Sequence, residues 1–144
     1  MTATQPIIVP PDEVKAFVES LNRCLATPDF LEDFYSIFIE SSDEVREKFK
    51  FTDRKQQARV LAQSLFALAV FAQRTTGSPA WGEFDRLASR HNRHDLDIQP
   101  ELYDLWLACL LRAARSYDPL FSPKLENAWR HTLMLGIEYL RSRH

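Results

Sequence analysis

Apolar residues recur along this chain at three- and four-residue intervals, and the stripes they form are punctuated by prolines. Val14, Phe17, Val18 and Leu21 make the first stripe, opened by Pro10-Pro11. Leu31, Phe34, Tyr35 and Phe38 make the second, with Thr27 as its cap and Pro28 at the first helical position. Ser41 and Glu44 have capping-box spacing ahead of a short third segment that ends near Phe49. Asp53 caps a long helix with Leu61, Leu65, Leu68 and Ala72 on one face, and Gly77-Ser78-Pro79 stops it. A short helix from 80 to about 91 carries Trp81, Phe84, Leu87 and Ala88, and 92–99 reads as a polar loop. Pro100 starts a helix with Leu102, Leu105, Cys109 and Leu110, which Tyr117-Asp118-Pro119 ends. Ser122-Pro123 opens the last helix, with Leu125, Ala128, Leu135 and Tyr139.

No stretch alternates apolar and polar residues as a half-buried strand would. The pattern predicts an all-α fold of about six to eight helices, with residues 1–10 as an extension and 11–144 as one domain. The unequal helix lengths argue against a four-helix bundle.

Composition narrows this little. The chain has 144 residues, enough for a core without staples, and 45% of them are hydrophobic. A net charge of -2 gives no overall basic excess for nucleic acid. The longest apolar run, 65–72, is far too short for a membrane span. Cys24 and Cys109 both fall within apolar helical patterns and read as reduced core thiols, which fits a cytoplasmic protein. Trp81, Trp106 and Trp129 read as core or helix-contact residues.

Candidate chemistry starts at His91, one of four histidines. It lies four residues after Leu87 on the inward stripe, where an imidazole needs a partner. Taken alone, that position favours a core histidine bonded to a carbonyl over a metal ligand. The surrounding motifs favour the metal. Phe84-Asp85-Arg86-Leu87-Ala88-Ser89-Arg90-His91, followed by Ile98-Gln99-Pro100-Glu101-Leu102-Tyr103, resembles the proximal region of bacterial single-domain haemoglobins and flavohaemoglobins. Phe34-Tyr35 through Val45-Arg46-Glu47-Lys48-Phe49 is similar to the distal region of the same globin superfamily.

The resemblance implies a globin-like fold enclosing haem b (iron protoporphyrin IX), with His91 on the iron. Phe49 would stack on the porphyrin, with Phe51 the alternative, and Tyr35, fourteen residues earlier, would take the distal position on the second helix. Gln57 and its neighbour Leu61 would complete the distal side. Gln56, paired with Val60, is the competing register. Phe38, Leu61, Leu65, Leu87, Ile98 and Leu135 would line an apolar pocket. Arg90 and His94 lie where a haem propionate would emerge or water would solvate them. Tyr103 matches a tyrosine near the proximal histidine of flavohaemoglobins. Only seven residues separate Phe49 from Gln57, a tight corner for the family.

A tyrosine hydroxyl and a glutamine amide can both donate to a diatomic ligand that gains negative charge. The resemblance therefore implies binding of oxygen, nitric oxide or carbon monoxide, with nitric oxide detoxification as the candidate turnover. No flavin or nicotinamide segment accompanies the domain, so turnover requires a separate reductase. A gas-sensing module and a haem-free interaction domain are the competing functions. The expected state is a monomer or homodimer.

Overall fold

The computed structural model of the protein describes residues 9–73 and 102–142. Among these residues all regular structure is helical: α1 (Pro11–Leu25), α2 (Asp29–Glu40), α3 (Asp43–Phe49), α4 (Arg54–Gln73), α5 (Leu102–Tyr117) and α6 (Pro123–Ser142). The predicted helix from 80 to about 91 and the loop at 92–99 lie outside the described residues, as does Trp81. No helix among the described residues is long and apolar enough to cross a membrane.

The helices pack as α1 on α6, α2 on α5 and α4 on α6, with α4 also touching α1 and α2. Aromatic contacts show why. Phe17 of α1 meets Trp129 of α6 edge-on at 4.8 Å. Phe34 of α2 stacks on Phe38 at 5.5 Å and meets Trp106 of α5 at 6.3 Å. Phe71 of α4 lies 5.3 Å from Tyr139 of α6. Such ring pairs add to an already large apolar burial. The core reaches back to Val9. Cys24 and Cys109 are free and buried, and burial pushes the Cys24 thiol up to about 12, so it stays protonated at neutral pH.

Several local expectations shift. Ser42, not Ser41, caps α3: its hydroxyl accepts from the Val45 N–H, while the Ser41 hydroxyl donates back to the Phe38 carbonyl. With two adjacent serines, the end of α2 decides which one caps. Ser42→Ala is expected to cost about 1 kcal/mol, read from denaturant midpoints. Pro28 sits at the cap of α2 rather than inside it, and no side chain caps that end. Asp53 does cap α4, its carboxylate accepting from the N–H groups of Lys55 and Gln56. The inward face of α6 is centred on Ala128, Trp129, Thr132, Leu133 and Ile137, while Leu125, Leu135 and Tyr139 are half-buried at its edge. The Phe17–Trp129 contact sets that rotation.

A polar lock joins the two ends of the chain. Asp118, following α5, has a fully buried side chain. It accepts from Arg23 Nε at 2.7 Å, Arg23 Nη2 at 2.9 Å, Ser20 Oγ at 2.5 Å and the Leu120 N–H at 2.9 Å. Trp129 Nε1 donates to the same Ser20 oxygen at 2.9 Å. One carboxylate thereby fixes α1, the α5–α6 corner and α6 together.

Candidate functional site

The corner between α2, α3 and α4 gathers the polar and aromatic residues that could hold a ligand. On α2, four-residue spacing puts Phe34 and Phe38 in one row, with Tyr35 beside Phe34 at 5.0 Å. Tyr35 is 5% exposed. The Ser42 cap starts α3 so that its last residue, Phe49, turns inward. The Phe49 ring lies 6.0 Å from Tyr35 and 6.2 Å from Phe38. Phe51, two residues on, is 92% exposed, so Phe49 is the one of the two aromatics that is buried against Tyr35 and Phe38.

The first turn of α4 closes the corner. The Tyr35 hydroxyl donates to the backbone carbonyl of Gln57 at 3.2 Å. Burial pushes the Tyr35 phenol well above its ordinary range, so it remains a donor at neutral and moderately alkaline pH. The Gln57 side chain is half-buried, and its Oε1 is buried with no hydrogen-bond partner among the described residues. Leaving such an atom unsatisfied costs roughly 1–3 kcal/mol. Gln56 points the other way: it is exposed and its Oε1 accepts from Arg59 at 2.8 Å.

Leu61 and Leu65 follow on the buried face of α4, and Leu65 is fully buried. Phe38 and Tyr103 are buried in the same core, and Leu135 packs against it half-buried. The structure thus brings Tyr35, Phe38, Phe49 and Gln57 together at one corner. His91, Leu87, Arg90, His94 and Ile98 lie outside the described residues. Sequence spacing did not reveal the bond from Tyr35 to the Gln57 carbonyl, because a backbone acceptor leaves no residue-type signal.

The donor set suits a planar apolar cofactor carrying a small polar ligand. An aromatic ring is available for stacking, aliphatic side chains can exclude water, and the Tyr35 hydroxyl reaches the backbone of Gln57 at the same corner. Among solved structures the chain is similar to a crystal structure from Pseudomonas aeruginosa PAO1, described as structurally highly homologous to a human hemoglobin. The two are 35% identical, the match covers 90% of this chain and 96% of that one, and the TM-score is 0.81. The chain belongs to the globin family. No protein-family profile and no curated protein matches this globin. Its fold suggests a haem protein.

Proposed function

We propose that this globin binds haem b through His91 and takes a diatomic gas, oxygen or nitric oxide, on the side of Tyr35 and Gln57. The observation that carries this reading is a buried tyrosine hydroxyl that donates to the Gln57 backbone carbonyl at the corner where Phe49 packs, with the Gln57 Oε1 buried and without a partner among the described residues. Bound haem supplies an iron with one open coordination position. The chain's residues supply the rest. Phe49 offers a ring face for stacking. Phe38, Leu61 and Leu65 keep water out and the local dielectric low, which strengthens any hydrogen bond made there. Gln57 offers its amide as a second polar group.

Tyr35 can donate only one proton, which the Gln57 carbonyl now takes. To stabilise a ligand, its hydroxyl must leave that carbonyl. A hydrogen bond to a group with ionic character contributes roughly 1.5–3 kcal/mol. Tyr35→Phe is therefore expected to speed oxygen release roughly ten- to hundredfold, measured by stopped-flow displacement with carbon monoxide. An unchanged release rate would remove Tyr35 from the ligand site. In this reading nitric oxide detoxification is the turnover, and a separate reductase supplies the electrons.

A further inference from the structure

The segment that carries Phe49 and Gln57 on its inner side has a different outer side. Between Lys48 and Arg59 the chain holds five cations and one acid, although the whole protein carries a net charge of -2. Lys48, Lys50, Arg54, Lys55 and Arg59 are all exposed. Asp53, the one acid in that stretch, is engaged in capping α4. Lys50 reaches Glu47 at 2.8 Å, and its ammonium also lies 5.2 Å from the centre of the Phe51 ring. Phe51 is the most exposed large apolar side chain among the described residues. An accessible aromatic beside Lys50, in a segment whose other cations are also exposed, has the make-up of a small docking surface: an anchor with charged neighbours.

We propose that this α3–α4 corner docks the acidic face of a one-electron carrier protein, which reduces the iron of the neighbouring pocket. The inference rests on the haem reading for its redox role, and on charge and exposure for the docking itself. Charge complementarity selects an acidic partner and steers its approach. The patch is one aromatic and a few cations, the scale of brief electron-transfer encounters rather than of stable dimers. Phe49, between Lys48 and Lys50 in sequence, faces Tyr35, so the outer patch and the candidate pocket share one segment. In the step itself a reduced iron–sulfur cluster of the carrier loses one electron and ferric iron becomes ferrous. No bond is made and no proton moves.

The test uses a plant-type [2Fe–2S] ferredoxin as probe on the full chain loaded with haemin. Titration followed by amide NMR should shift signals clustered in residues 48–59, with affinity falling about tenfold as salt rises from about 50 to about 200 mM. Lys50→Glu combined with Lys55→Glu should weaken binding about tenfold or more. It should slow reduction by ferredoxin equally and leave reduction by dithionite unchanged. Phe51→Ser, which preserves the charge, should lower affinity without changing the salt dependence.

Shifts centred elsewhere, or a charge-reversed protein that binds and is reduced like the wild type, would overturn the proposal. So would stronger binding to phosphatidylglycerol vesicles or duplex DNA than to ferredoxin at the same salt. If the chain takes up no haemin, the haem reading and the redox role fall, and the binding titration on the haemin-free protein still decides the docking surface.

Discussion

Asp118→Ala is expected to destabilise the protein by about 3 kcal/mol and to lower its melting temperature by roughly 10 °C. The buried carboxylate is the only feature that ties α1, the α5–α6 corner and, through Ser20, Trp129 of α6 into one polar unit among the described residues. Its loss strands the Ser20 hydroxyl and one face of Arg23. Arg23 is 31% exposed and can turn to water, which keeps the cost at the lower end for a broken buried pair. Against a typical total of about 5–15 kcal/mol, the remaining stability is small.

The same residue sets an acid limit. Burial pushes the Asp118 carboxyl up, but hydrogen bonds from Arg23, Ser20 and Leu120 and the Arg23 charge together hold it below the ordinary carboxylate value. A depressed folded value means that its contribution is complete above about pH 4 and is lost as pH falls through the folded value. Stability of the wild type should therefore decline through that acid window, and Asp118→Asn should flatten the decline. Chemical denaturation at a series of pH values checks both expectations.

His91→Ala is expected to abolish the wild type's haem spectrum and the retention of haem on gel filtration. In the proposed reading a single imidazole nitrogen anchors the iron, and no other bond of comparable strength holds the cofactor. His131 cannot substitute. It lies exposed on α6 with Nδ1 2.8 Å from the Glu13 carboxylate of α1, on the side that faces α1. His131→Ala should therefore leave the spectrum unchanged. A His91→Ala protein that keeps the wild-type bands would move the iron ligand elsewhere, with His94 next in line.

Much of the framework could be read from the chain. The stripe of Val14, Phe17 and Leu21, and that of Phe34 and Phe38, are buried as their spacing requires, because a helix that hides one face repeats it every three or four residues. Pro11 and Pro123 mark the starts of α1 and α6 because proline needs no N–H there. Gln57 is half-buried and Gln56 exposed for the same reason: Gln57 shares the buried face of Leu61.

What could not be read depends on distant partners. Nothing near Asp118 in sequence announces Arg23 or Ser20, which are 95 and 98 residues away. The inward rotation of α6 follows from Trp129 meeting Phe17, so a stripe through Leu125 and Leu135 was an equally regular choice. The acceptor for Tyr35 is a backbone oxygen. Leu87, Arg90, His91, His94 and Ile98 lie outside the described residues.

Haem binding is the property on which the proposed gas chemistry of this globin depends. The most direct measurement is the visible absorption spectrum of the purified protein after titration with haemin, taken before and after dithionite and carbon monoxide. Saturable one-to-one uptake is expected, with an intense porphyrin band that shifts on reduction and again with carbon monoxide. A spectrum no different from free haemin at every step would mean that this globin does not hold haem.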